Sequence, residues 1–183
     1  MRLGRRAFAR LAVVALLAVA LVAVIPGSAH ADSLTSRTCQ AIHSGDGVRR
    51  LDVCARGWVN NGPTLTRSVV EMHTYAWSNS NGWIDSRSQS ITMNDAITRA
   101  PAPGPWYARW GQDISGNCRV NGPGGSVACS VPNTTRVAFY GPAVSAPNYQ
   151  PFQTEVFEVS WRDDRGVPHT PVYIDLVSPT WNA

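Results

Sequence analysis

The amino-acid sequence predicts an all-β protein: a single antiparallel β-sandwich-like domain of about ten short strands with two cystine-bridged hairpins, after a cleaved signal peptide. Three observations predict this fold class. After residue 31 the chain has 33 Val, Ile and Thr residues but only 9 Leu, Met, Glu and Lys residues, which is a strand-forming composition. Glycines and prolines punctuate short alternating runs. Four cysteines allow three connectivities, and we predict the local one, which centres each pair on a glycine-containing turn.

The first 31 residues have the features of a secretion signal. Arginines precede an uninterrupted apolar run at 11–25, Pro26 ends this run, and Ala29-His30-Ala31 has the small-x-small pattern of a signal-peptidase site. The alternative is an uncleaved membrane anchor, which needs about 20 apolar residues, whereas this run has 15. We therefore predict cleavage after Ala31, by general secretion or twin-arginine export, and a single secreted, extracellular domain at 32–183.

The charge of the secreted part argues against two classes of partner. All 16 basic residues are arginine; four of them lie in the signal, so that 12 arginines balance 12 acidic residues in the remainder. A formally neutral domain lacks the basic surface expected of a nucleic-acid binder or a polybasic membrane-surface protein. The sequence therefore predicts no nucleic-acid partner and no membrane association after cleavage.

The first cysteine pair predicts a local disulfide. Pairing Cys39 with Cys54 centres a hairpin on Gly45-Asp46-Gly47 and places His43 opposite Arg50. A four-residue loop puts the cysteines at a non-hydrogen-bonded position, where facing residues of an antiparallel pair lie closest. We therefore prefer this loop to a two-residue Asp-Gly turn.

The second cysteine pair repeats the pattern. Cys118 and Cys129 flank Gly122-Pro123-Gly124-Gly125, and their pairing places Val120 opposite Val127. Metal binding is the competing use of four cysteines, but the chain has no Cys-x-x-Cys and no histidine at ligand spacing from a cysteine. We therefore predict two disulfides, which are stable in an oxidising compartment, and no metal or other cofactor.

Turn residues between alternating runs delimit the strands. The predicted strands cover 34–43, 48–59, 64–77, 83–93, 106–114, 117–121, 126–131, 134–140, 152–161 and 171–178. Proline-rich segments at 94–105 and 141–151 are predicted connections, because proline cannot donate a ladder hydrogen bond. Asp163-Asp164, in the last hairpin turn, is expected to be a solvated acidic pair. Short connections favour antiparallel neighbours in two sheets.

The strand predicted at 64–77 contains the candidate functional residues, because alternation sorts its side chains into two faces. The set predicted to face the core is Val70, Met72, Thr74 and Ala76. The set predicted to face outward and bind a ligand is Glu71, His73, Tyr75 and Trp77, joined across an even-length turn by Ile84 and Ser86, with Ser88 and Ser90 beyond them.

This row has a purely structural interpretation, the solvated face of an edge hairpin, and two functional ones, a catalytic site and a binding face. A serine, a histidine and a glutamate on one face are the components of a nucleophilic triad, but mid-strand serines lack a nucleophile elbow and an oxyanion hole. We predict instead a non-catalytic binding module for a glycan or another cell-wall-associated ligand, because Tyr75 and Trp77 would form an exposed aromatic stripe without a role in folding. The alternatives are a secreted hydrolase with a site of another kind and a secreted inhibitor or protein-interaction domain.

Overall fold

The computed structural model describes residues 33–60, 65–112, 118–120, 129–145 and 150–182. In these residues the chain forms fourteen β-strands and no helix, so the all-β prediction is confirmed. Accordingly, this part of the chain has no helix long and apolar enough to cross a membrane. The predicted signal peptide at 1–31 lies outside the described residues.

Eight strands form the first sheet. They are β1 (Ser33–Leu34), β2 (Thr38–His43), β3 (Arg49–Val59), β4 (Leu65–Ser78), β5 (Gly82–Asp85), β8 (Arg119–Val120), β10 (Arg136–Tyr140) and β11 (Val144–Ser145). The main order is β1-β3-β4-β10-β8; β2 also pairs with β3, and β5 and β11 also pair with β4. The long strands β3 and β4 therefore form the centre of this sheet.

Six strands form the second sheet. They are β6 (Ser88–Arg99), β7 (Trp106–Trp110), β9 (Ser130–Thr134), β12 (Pro151–Arg162), β13 (Pro168–Val177) and β14 (Trp181–Asn182). The main order is β13-β12-β6-β7, with β9 paired to β6 and β14 paired to β12. Every pairing in both sheets is antiparallel, as predicted.

The hydrophobic core lies between the two sheets. The first sheet contributes Leu51, Val53, Val70, Met72 and Phe139, and the second contributes Ile91, Met93, Trp110, Val156, Val159 and Trp161. The predicted inner face of β4 is confirmed: Val70, Met72 and Thr74 are buried, and Ala76 at the end of the row is partly buried. The opposite face of β4 is therefore directed away from the core.

Several predicted boundaries are wrong. The segment 83–93 is not one return strand, because β5 ends at Asp85 and the chain then crosses to the second sheet, where β6 begins at Ser88. The predicted connection at 94–105 is too long, since β6 continues to Arg99 and only 100–105 separates it from β7. The larger number of strands reflects this break and short strands such as β11 and β14.

The first cystine joins neighbouring strands of one hairpin. Cys39 and Cys54 are direct partners with Cα atoms 4.0 Å apart, and His43 faces Arg50 as predicted. The Ser44 amide donates to the Arg49 carbonyl, which closes a four-residue loop at 45–48. The short Cα separation agrees with a non-hydrogen-bonded pair.

The second cystine joins the two sheets. Cys118 and Cys129 are disulfide-bonded as predicted, with Cα atoms 5.0 Å apart. The strands next to the two cysteines belong to different sheets, however: β8 pairs with β10 in the first sheet, whereas β9 pairs with β6 in the second. The register predicted for the tip of this hairpin, Val120 with Val127, is not tested, because Val127 lies outside the described residues.

Candidate functional site

The outer face of the first sheet displays the predicted candidate residues of β4. Glu71, His73, Tyr75 and Trp77 alternate with the buried row and point away from the second sheet. Trp77 retains 47% of its accessible surface, and the other three are partly exposed. These four side chains therefore share one accessible surface.

The predicted neighbours Ile84 and Ser86 do not belong to this row. The turn between β4 and β5 has three residues, 79–81, so that Trp77 faces Trp83 and Tyr75 faces Asp85. The prediction assumed an even-length turn, and one residue of difference moves every side chain of the return strand to the other face. Trp83 and Asp85 thus occupy the places predicted for Ile84 and Ser86, and Ser86 is buried.

Three aromatic side chains and one arginine form a continuous stack on this face. The Trp77 and Trp83 rings meet edge to face with centroids 5.4 Å apart. The Arg50 guanidinium lies 4.9 Å from the Trp83 centroid and 4.5 Å from the Tyr75 centroid. Cation–π contacts of this kind hold a guanidinium and the rings in fixed relative positions. We call Trp77, Trp83, Arg50 and Tyr75 the aromatic stack.

His73 lies beside the aromatic stack with three polar partners. Its Nδ1 is 2.6 Å from the Tyr75 hydroxyl, and its Nε2 is 2.8 Å from Asp85 Oδ1 and 3.0 Å from Nε of Arg136. A neutral imidazole carries one N–H. If Nε2 carries it, the ring donates to Asp85 but cannot accept from Arg136. If Nδ1 carries it, Nε2 accepts from Arg136 but cannot donate to Asp85. Each tautomer therefore satisfies two of the three contacts.

The protonation of His73 follows from its surroundings. Burial lowers the pKa of the imidazole below its ordinary value of 6.5. The positive charge of Arg136 lowers this pKa further, while the charges of Asp85 and Asp52 oppose the shift. The ring is therefore neutral at pH 7, and its hold on Arg136 depends on its tautomer.

Glu71 has two guanidinium partners. Its Oε2 accepts from Nη1 of Arg37 at 3.2 Å, and its Oε1 is bonded to Nη2 of Arg56. A neighbouring ion pair joins Arg50 to Asp52 at 2.9 Å. One carboxylate shared by two guanidinium groups leaves an excess of positive charge at this position.

A groove of about 580 Å³ runs over the outer face between these groups. Its polar lining consists of Arg37, Asp52, Glu71, His73, Tyr75 and Arg136, and the Cys39–Cys54 cystine forms part of its wall. We call this cavity the outer groove. It is large enough for one or two small cyclic units of a ligand, and its walls provide both donors and acceptors.

The two histidines at the turns have separate surroundings. His43 remains exposed, with its ring 5.4 Å from that of Trp83. His169 has an acidic partner that sequence analysis did not identify, since its Nε2 lies 3.2 Å from Asp163 and its ring stacks on Trp161. Within the described ranges, no group of three or more His, Cys, Asp or Glu residues could hold a metal ion.

Seven residues that surround the predicted ones were not predicted from the sequence. Trp83 and Asp85 follow from counting a three-residue turn, for which Asn79-Ser80-Asn81 was the available signal. Arg136 reaches His73 because β10 pairs with β4, and this pairing has no signal in the local sequence. Arg50, Asp52 and Arg56 reach the site because β3 pairs with β4, and Arg37 reaches it through its ion pair with Glu71. Comparisons with protein-family models, curated proteins and solved structures found no match to this chain.

Proposed function

We propose that this protein is an extracellular, non-catalytic binding module that binds a glycan on the outer face of its first sheet. The observation that carries the proposal is the exposed Trp77 indole at one end of the aromatic stack, whose other end, Tyr75, lines the polar outer groove. The apolar face of a sugar ring stacks on an indole, and the surrounding hydroxyl groups need polar partners close by.

The exposure of Trp77 is not required by packing. The opposite side of β4 already supplies Val70 and Met72 to the core, so the indole adds no buried surface between the sheets. Trp83 meets it edge to face and fixes its orientation. Exposed aromatic side chains that are grouped on one face are typical of interaction surfaces.

The outer groove also suits the polar part of a saccharide. Sugar hydroxyl groups both donate and accept, and the groove presents guanidinium donors beside carboxylate acceptors. Glu71 and Asp52 are held by ion pairs, so these planar groups are already oriented before a ligand arrives. Such preorganisation lowers the entropic cost of binding.

The disulfides are consistent with an extracellular location. Both cystines are formed, and the described residues include no free cysteine. Disulfides persist in oxidising compartments and are rare in the cytosol. A glycan of the cell wall or cell surface would be accessible to a protein in that location.

The test is to replace Trp77 by alanine and measure retention on insoluble polysaccharides together with the melting temperature. We expect retention to weaken about tenfold, equal to about 1.4 kcal/mol, with little change in melting temperature. The matched control is Trp106→Ala, because Trp106 is also exposed, at 63%, but lies in the second sheet. Tyr75→Ala should also weaken retention, with some loss of stability because Tyr75 contacts Arg50 and His73.

Two results would contradict the proposal. Full retention by Trp77→Ala would show that the indole does not contact the ligand. A loss of roughly 3 to 5 kcal/mol in unfolding free energy, typical of truncating a buried aromatic, would show that Trp77 is structural. Equal weakening by Trp106→Ala would indicate nonspecific adsorption through any exposed tryptophan.

A further inference from the structure

The outer face of the first sheet has an excess of positive charge. Its arginines are Arg37, Arg50, Arg56, Arg67, Arg119 and Arg136, and its acidic residues are Asp52, Glu71 and Asp85. Residues 32–183 are formally neutral in total, so this excess is concentrated on one face. A local excess of one sign attracts ligands of the opposite sign even when the whole molecule is neutral.

Arg136 and Arg37 stand at the rim of the outer groove. Their side chains keep 68% and 56% of their accessible surface, more than the other members of the ion pairs of this face. Glu71 and Asp52 are recessed, with 25% of the side chain exposed. A ligand that approaches the groove therefore meets two guanidinium groups before it meets Glu71 and Asp52, and the exposed carboxylate of this face, Asp85, lies beside Arg136.

Arg37 and Arg136 each take part in a solvent-accessible ion pair, with Glu71 and with Asp85. Arg37 shares Glu71 with Arg56, so Glu71 stays paired if Arg37 turns to a ligand. Arg136 donates from Nη2 to Asp85 Oδ2 at 3.2 Å and from Nε to His73, and the ion pair with Asp85 is exposed on both sides, at 68% and 54%. Exposed ion pairs of this kind contribute little stability, so a ligand carboxylate can compete for the guanidinium. Guanidinium groups bind carboxylates in a bidentate, planar geometry.

We propose, on the basis of the proposed function, that the glycan is acidic and that Arg37 and Arg136 bind its carboxylate groups while a sugar ring stacks on Trp77. Single-stranded nucleic acid also combines negative charge with stacking rings. The three carboxylates interleaved with the arginines disfavour it, because a continuous phosphate backbone would lie against Asp52, Glu71 and Asp85.

The experiment compares two polymers with the same backbone, polygalacturonate and its fully methyl-esterified form. We expect the wild-type protein to bind the acidic polymer about tenfold more tightly. Raising NaCl from about 0.1 M to about 1 M, which shortens the screening length from about 10 Å to about 3 Å, should remove this preference. Binding of the ester should change little with salt, because stacking on Trp77 carries no net charge.

Two variants test whether Arg37 and Arg136 cause the preference for the acidic polymer. Arg37→Gln/Arg136→Gln should bind both polymers equally, and Arg136→Gln alone, in which a highly exposed side chain changes, should lose part of the preference. The matched control is Arg162→Gln, an exposed arginine of β12 in the second sheet, which should keep the full preference. The melting temperature of each variant shows whether it is folded.

Each remaining outcome overturns the inference in a recognisable way. Equal binding of both polymers by the wild type would be compatible with the proposed function but would show that the protein does not select an acidic glycan. If Arg37→Gln/Arg136→Gln still prefers the acidic polymer, these two arginines do not bind its carboxylate groups. Tighter binding of a 30-nucleotide poly(dT) than of polygalacturonate replaces the glycan by nucleic acid. Binding of neither polymer, together with retention of other glycans that Trp77→Ala abolishes, rejects only the acidic ligand.

Discussion

At the scale of single residues, Gly57 determines how the C-terminal strand docks. The Trp181 indole of β14 lies flat against Gly57, and a Cβ at this position would be 2.3 Å from Trp181 Cε2. Trp181 Nε1 donates to the Thr66 hydroxyl at 2.8 Å, and its ring packs on Phe152. The indole is thus held on three sides, and it cannot move without losing one of these contacts.

We predict that Gly57→Ala destabilises the protein by about 1 to 3 kcal/mol, the usual cost of overpacking a filled interior. The control is Gly45→Ala, because a Cβ at Gly45 meets no atom within 4 Å and should change stability by no more than about 0.5 kcal/mol. Unfolding in guanidinium chloride gives both values. Equal stability of the two variants would mean that Trp181 does not occupy this position in solution.

The same scale shows which site residues could be predicted from sequence. Alternation along β4 correctly separated Val70 and Met72 from Glu71 and Trp77, since burial on one side of a strand fixes every second residue. The partners of His73 could not be predicted in this way. The position of Asp85 opposite Tyr75 depends on the length of one turn. Arg136 lies 63 residues from His73 in the sequence, in a strand whose pairing is decided by the whole sheet.

At the scale of elements, two turns from different sheets are joined by ion pairs. Arg165 binds Asp46 at 2.7 Å and Asp163 at 2.7 Å, linking the turn at 163–166 to the loop at 45–48. Asp163 also accepts the amides of Arg165 and Val167. It is buried, so the predicted solvated acidic pair is wrong at this residue, while Asp164 is exposed and binds Arg49.

These contacts predict how stability changes with pH. Burial disfavours the ionised form of Asp163, but hydrogen bonds from Arg165, the Val167 amide and His169 outweigh it and keep its pKa below the ordinary 3.8. The folded state therefore binds this proton less readily than the unfolded state. The contribution is fully present above the unfolded pKa and is lost as the pH falls through the lower folded pKa.

We predict that Asp163→Asn lowers the unfolding free energy by about 2 kcal/mol at pH 7, because it removes charge-assisted hydrogen bonds. It should also flatten the decrease in stability below about pH 4. The control is Asp175→Asn, an exposed residue of β13, which should change neither quantity. The measurement is urea unfolding from pH 7 to pH 2, and a pH profile of Asp163→Asn that matches the wild type would contradict the prediction.

Elements differed in how well the sequence defined them. The register and the four-residue loop of the hairpin of β2 and β3 were predicted correctly, because its cystine and its loop glycines are local and mutually consistent. The start of its first strand was not, since β2 begins at Thr38 and Ser33–Leu34 form a separate strand. The hairpin of β12 and β13 was also recognised from its turn. The crossing from the first sheet to the second after Asp85 was not recognised. It depends on the sheet in which β6 finds its partner strands, and no turn residue marks it in the sequence.

At the scale of the whole molecule, three buried features join the two sheets, in addition to the ion-paired turns and the Trp181–Thr66 hydrogen bond. The first is the apolar core between them. The second is a buried group of hydroxyls in which Ser68 accepts from Thr98 at 2.7 Å and from Thr154 at 2.8 Å. The third is the Cys118–Cys129 cystine, whose residues belong to the same core cluster. The Cys39–Cys54 cystine, by contrast, lies within the first sheet, and Cys39 is exposed.

This difference predicts unequal roles for the two disulfides. The sequence separations are 15 and 11 residues, so constraint of the unfolded chain contributes about 3 kcal/mol in both cases. Replacing Cys118 and Cys129 by alanine also removes two buried sulfur atoms between the sheets, and we expect it to cost about 1 to 2 kcal/mol more than replacing Cys39 and Cys54. Unfolding in guanidinium chloride measures both losses.

A mild thiol reductant should open the exposed Cys39–Cys54 bond first, as shown by peptide mapping after alkylation, because attack requires access to a sulfur atom. Equal losses of stability, or earlier reduction of Cys118–Cys129, would mean that the second cystine does not lie in the core between the sheets.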